Sequence, residues 1–325
     1  MLGPRLLPEF KDPQACRLDI KSAALSLATI LLVIYGIKII AQDGLQLQSI
    51  LFVGAGVVFG IVFLHRQRKL EYPLIDLRLF RLPTFNTALI TLLLGVFVTF
   101  EVFLFLSQYL QLVLGLSPLE AGMWMLPWAL AFVVGSILTP RIVRRVSPIS
   151  IIAGGLAVAA VGFGLLIQID TSTSFLFLTI GLVISSLGLA PVFTLTTDLV
   201  VGSAPPERAG AASAISETTA ELGGALGIAV LGSIGISIYR TELARTIPAG
   251  ILPEAQETAL ESLGGAVSVV GQLPIGLGSM LLDIAHNSFI QGLQFTVIIS
   301  AAVAAIAAAL VFVKLRNVQI DSKQN

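Results

Sequence analysis

Three carboxylates stand in stretches of this chain that are otherwise apolar. In "RAGAASAISETTAELGGALGIAVLG" (208–232), Glu217 and Glu221 are four residues apart, with Thr218 beside the first. On a helix that spacing puts them on one face. Two carboxylates a turn apart resist ionising together, so one of them can hold and exchange a proton, which is the chemistry of proton coupling. In "TFEVFLFLSQYLQ" (99–111), Glu101 is followed two turns later on the same face by Gln108. A polar stripe of that kind can strip and replace a substrate's hydration along a pathway. Each acid also has a structural reading: an interior hydrogen bond between helices, or a pair with an arginine at the membrane rim.

The elements that must position these residues are membrane-spanning helices. The 325 residues are 56% hydrophobic and only 12% charged, where a soluble domain carries roughly 25% charged residues. A helix needs about 20 mostly apolar residues to cross the hydrocarbon core. Eight stretches qualify, at about 21–41, 47–65, 86–112, 118–140, 148–169, 174–199, 209–239 and 288–313. With a rise of about 1.5 Å per residue from Arg208, Glu217 lies about 13–14 Å in and Glu221 about 20 Å in, both below the interface. Sixteen of the nineteen Lys and Arg residues fall on alternate loops, which places both termini in the cytoplasm of a multi-pass cell-membrane protein. The fold class expected is therefore all-α, a polytopic membrane helix bundle. Lys38, ending the first span, can snorkel to the outer interface, and Asp198 sits near a helix end, where an acid needs no special reason. The outer loop 240–287 reads either as a mobile connection or as a helical hairpin broken at Gly264–Gly265 and around Pro274.

Other chemistries find no foothold in the sequence. It has no phosphate-binding glycine loop, no nucleophile elbow and no zinc signature, so neither an enzyme nor a cofactor or metal is expected. His65 and His286 fall at opposite membrane faces, and the lone Cys16 reads as a free thiol. A net charge of zero gives no reason to expect nucleic acid as a partner. Gly223 and Gly227 are spaced to let helices approach closely in lipid, and Pro127 and Pro191 can kink their spans. In "TPRIVRRVSP", Arg141, Arg144 and Arg145 form a basic turn that enforces orientation. Arg141 is also placed to pair with an acid such as Asp198 or Glu207 and latch a conformation.

"YLQLVLGLSPLEAGMWMLPWA", "GSILTPRIVRRVSP", "RAGAASAISETTAELGGALGIAVLGSI", "PLIDLRLFR" and "YGIKIIAQDG", in this order and spacing, resemble the fourteen-helix drug:proton antiporters of the major facilitator superfamily. The resemblance runs from about residue 3 to 316. It implies a C-terminal six-helix transporter bundle at 86–316, preceded by the inter-bundle helix pair at 21–65. Around these lie a lead segment 1–20, a basic cytoplasmic loop 66–85 and a tail 317–325. It also implies that Arg141, Arg144 and Arg145 occupy a degenerate copy of the superfamily's cytoplasmic loop motif. "GPRLLPEF" behind Met1 resembles the segment that follows the sixth helix in that family, so the first six helices are expected to be missing.

The function implied is proton-coupled efflux of lipophilic or cationic drugs, with Glu217, Glu221 and Glu101 as proton-coupling candidates and Gln108 and Thr218 on the substrate pathway. The partners implied are small lipophilic substrates, protons, membrane lipid and a separate six-helix N-terminal half. The alternative is a non-transporting membrane remnant or subunit that requires such a half.

Overall fold

A computed structural model describes residues 19–44, 46–70, 73–171 and 173–321; of these, the side chains of 41–43, 207 and 314–321 are not described. Cys16, most of the lead segment and the end of the tail lie outside them. The described residues are helical and contain no strand. The helices in chain order are α1 (Ile20–Asp43), α2 (Leu47–Lys69), α3 (Pro83–Gln108), α4 (Pro118–Val143), α5 (Pro148–Leu166) and α6 (Phe175–Gly202), then α7 (Ala209–Gly227), α8 (Ser233–Thr246), α9 (Pro253–Glu261), α10 (Leu263–Val270) and α11 (Ile275–Asp321). A π-helical turn, Ile228–Gly232, joins α7 to α8 as one rod, and another, Tyr109–Val113, extends α3. Eight helices are long and apolar enough to cross a membrane.

Helix starts follow the local chemistry of the sequence. Ser117 accepts the Glu120 N–H at 3.3 Å while Glu120 accepts the Ser117 N–H at 2.9 Å, a reciprocal cap that satisfies two orphan donors. Pro118 then occupies a first-turn position where its missing N–H is harmless. Ser147 and Pro148 repeat the device at α5. Gly115, at φ +69°, makes the preceding turn, in a conformation that disfavours residues with a Cβ.

Only 11% of α1's and 17% of α2's most apolar stretch is buried, against 56% for the third span, so this pair flanks the bundle formed by the other six spans. The pair is closely packed on itself. A Cβ on Gly36 would meet Val53, and one on Gly56 would meet Val33. At one end Asp19 caps α1 and takes a forked hydrogen bond from Arg66 of α2, at 2.9–3.1 Å. The Ser22 side chain, and then Arg66, hold the Asp19 carboxyl below the usual aspartate range.

Inside the bundle, small residues set how closely helices approach. Gly223 and Gly227 of α7 lie against the backbone carbonyls of Leu93 and Phe97 on α3, so the glycine spacing does seat α7 on α3. The main core joins Val102, Phe105 and Leu106 of α3 to Phe163 of α5, Leu182 of α6 and Leu293 of α11. Packing of this kind holds helices together where lipid supplies no hydrophobic drive.

The segment between α8 and α11 is a helical hairpin, α9 and α10, but it breaks at Ser262 and not at Gly264–Gly265, which already lie inside α10. The Tyr239 hydroxyl donates to the Ala259 carbonyl at 2.7 Å, and Arg240 Nε donates to the Leu260 carbonyl at 3.2 Å, fastening it to the end of α8. The last span starts at Ile275 instead of about 288. Asp283, His286 and Asn287 lower the local hydropathy without breaking the helix, and Pro274 marks its start.

Candidate functional site

The seventh rod carries a continuous stripe. Glu217, Glu221, Ala225, Ile228, Gly232 and Ile236 recur at spacings of three or four residues and share one face. At its α7 end Glu217, Thr218 and Glu221 are exposed; Thr218 Oγ1 donates to its own helix, to the Ala214 carbonyl at 2.8 Å. Farther along, Ala225 through Ile236 form one wall of a cavity of about 470 Å³.

Glu101 and Gln108 of α3 form the opposite wall, so the two residues placed on one face by sequence do share a chamber. Glu101 is 1% exposed, and its Oε2 has no hydrogen-bond partner among the described residues. The expected alternative, a carboxyl hydrogen-bonded between helices, is not what surrounds that oxygen. The space for the carboxyl is made by Gly232, where a Cβ would stand 2.8 Å from Oε1. Gly232 closes the π-helical turn, a distortion frequent at functional sites. Glu101 is thus enclosed with Gln108, while Glu217 and Glu221 lie outside on the same rod.

Further residues line the chamber, among them Lys38, which by sequence reads only as a snorkelling residue at the end of its span. Lys38 of α1 reaches the cavity wall and is exposed, so it stands at the rim of the Glu101 chamber as well as at the end of its span. Ser233 and Tyr239 line the chamber from α8, and Ser262 and Leu263 of the α9–α10 hairpin line it as well. Gly232 and Tyr239 carry no charge or motif; only the three-and-four spacing from Glu217 could have found them.

Arg141, Arg144 and Arg145 are exposed at the end of α4, and among the described residues none of them makes an ion pair. The expected pairing of Arg141 with Asp198 does not form; both residues are exposed, and the Glu207 side chain lies outside the described residues. Besides Asp19 with Arg66, the described residues at this end hold a second cross-element pair, Arg208 with Asp76, tying the loop between α2 and α3 to the start of α7. His286 bonds the Leu112 carbonyl at 2.9 Å, and no group of three or more potential metal ligands occurs among the described residues.

Comparisons with known proteins agree with this architecture. The chain is 36% identical over 98% of its length to the "Multidrug efflux pump LfrA" of Mycolicibacterium smegmatis, covering 62% of that protein. It is 32% identical over 89% of its length to the "Methyl viologen resistance protein SmvA" of Salmonella typhimurium, covering 58% of it. The chain thus spans about three-fifths of the length of these relatives. Among solved structures, a bacterial homolog of the human lysosomal transporter Spinster, inward-facing and unoccupied, aligns with a TM-score of 0.52 at 19% identity, over 84% of this chain and 62% of that one; this likeness concerns the fold. Residues 20–228 match the model of the Major Facilitator Superfamily, and the chain belongs to that family as a multi-pass membrane protein.

Proposed function

We propose that this chain is the C-terminal portion of a proton-coupled exporter of small lipophilic or cationic compounds, seated in the cell membrane with both termini cytoplasmic. The observation that carries this reading is Glu101, an enclosed acid whose Oε2 has no donor, in a chamber that runs into the stripe bearing Glu221 and Glu217. An ionised carboxylate sealed away from water without donors is strongly disfavoured. The group therefore binds a proton when the chamber closes and releases it when water enters. Gln108, together with the apolar walls and a few further polar side chains such as Ser233 and Ser262, suits a lipophilic substrate with a polar group.

Glu217, Thr218 and Glu221 supply the second half of the argument. A charged side chain in hydrocarbon costs about 2.5–3.5 kcal/mol on insertion scales, so the exposed face they occupy belongs against a wet cleft. In alternating access, one helix bundle rocks against another around a midplane site; a separate six-helix bundle facing α7 would create that cleft. The drug-efflux and resistance roles named for the relatives are consistent with such a pathway.

The test is dye efflux and drug resistance in cells carrying the chain alone or together with a six-helix N-terminal half. Activity that requires the half supports the proposal. Activity of the chain alone would overturn the two-bundle argument, and inactivity in both would favour a non-transporting subunit.

A further inference from the structure

A second pocket, of about 920 Å³, lies where α2 ends and α3 begins. Among the described residues, four arginines, Arg68, Arg78, Arg81 and Arg208, line it with a single carboxylate, Asp76. That carboxylate is already engaged: it pairs with Arg208 and accepts the Arg78 backbone N–H at 3.0 Å. Among the described residues no carboxylate pairs with Arg68, Arg78 or Arg81.

Two described parts of the pocket wall, Gln67 and Ile75, are tied together. Gln67 is buried, donates to Ser22 Oγ at 2.7 Å and accepts the Ile75 N–H at 3.3 Å. A basic loop serving only to orient the chain needs charge, not such a tie. The α2 span ends at Lys69 and the third span begins at Pro83, so the pocket sits level with one membrane surface. Beside the arginines, Leu64 and Phe80 are 43% and 39% exposed, an apolar edge facing the same space. Arginine's planar fork matches phosphate oxygens in pairs, and basic clusters next to a span attract anionic lipid.

We propose that this pocket binds the phosphate headgroup of an anionic phospholipid from the adjoining leaflet, held by Arg68, Arg78 and Arg81, with its glycerol and upper acyl chain against Leu64 and Phe80. Through Asp76 and Arg208 the bound lipid stands one ion pair from the start of α7, the helix that carries Glu217 and Glu221.

The test is native mass spectrometry of the full chain in neutral detergent, titrated with phosphatidylglycerol, phosphatidylcholine or sodium phosphate. Phosphatidylglycerol should be retained about tenfold more tightly than phosphatidylcholine, and R78Q/R81Q should lose about tenfold in that affinity. R144Q/R145Q, which removes the same charge at another loop, should keep it. Equal loss in both double variants would reduce the effect to a general field and overturn the site. Equal retention of the two lipids would overturn the headgroup assignment. Displacement of phosphatidylglycerol by millimolar inorganic phosphate would make the pocket a free-anion site and overturn the lipid. Should R78Q/R81Q fail to fold, Arg68→Gln answers the same question, and undiminished phosphatidylglycerol binding by it would contradict the proposal.

Discussion

Gly232 and Glu101 divide one small volume between them: the carboxyl fits because the glycine has no Cβ, which would stand 2.8 Å from Oε1. Gly232→Ala should therefore displace the Glu101 side chain, cost about 1–3 kcal/mol by overpacking, and lower efflux. A thermal melt beside a transport assay checks both, and an unchanged melt would mean that the contact is slack. A second residue-scale expectation concerns Asp19. Its carboxyl is held below the ordinary aspartate value, first by the Ser22 side chain and then by Arg66. A group depressed in this way stabilises the fold above its unfolded value of about 4, and that contribution fades as pH falls through the lower folded value. Hydrogen-exchange protection at the start of α1 should be full at neutral pH and drop below about pH 4, whereas D19N should be less protected at neutral pH and insensitive to that fall. The three acids were legible in the sequence because a charge in an apolar run stands out. That Glu101 is sealed while Glu217 and Glu221 are open was not, since exposure depends on which helices cover each face.

At the scale of elements, the α7–α3 contact and the α9–α10 hairpin carry the geometry. Gly227 lies against the Phe97 carbonyl with no room for a methyl group, so Gly227→Ala should push α7 from α3 and destabilise the chain by about 1–3 kcal/mol, read as a lower melting temperature. Gly154, which has open space around it, should accept alanine without that loss. The hairpin hangs on the Tyr239 hydroxyl, and Tyr239→Phe leaves the Ala259 carbonyl unpartnered, at a cost of about 1–3 kcal/mol for a buried group. Deuterium uptake across α9 and α10 should rise, and no change would mean that Arg240 and packing suffice. The spans were readable because about 20 apolar residues in a row have few other destinations. The last one was read short: Asp283, His286 and Asn287 resemble loop residues by composition, yet His286 bonds the Leu112 carbonyl within the fold. The Arg141–Asp198 latch did not form either: opposite charges near helix ends pair only when the packing brings them within reach, and their sequence positions do not encode that.

For the whole molecule, the family and bundle architecture came from the order and spacing of several weak motifs. The chamber required α1, α3, α7, α8, α10 and α11 to meet in space, which no local pattern encodes. Chamber and exposed stripe, with Glu101, Glu217 and Glu221, make up the proton path we propose. The claim is tested most directly by proton-gradient-driven dye efflux in membrane vesicles holding this chain together with a six-helix N-terminal half, comparing wild type with E101Q and with E217Q/E221Q. Both variants should insert at normal levels and lose coupled efflux about 100-fold or more, in line with removal of a positioned proton-transfer group. Efflux at wild-type rate with an undiminished response to the proton gradient in either variant would contradict the claim.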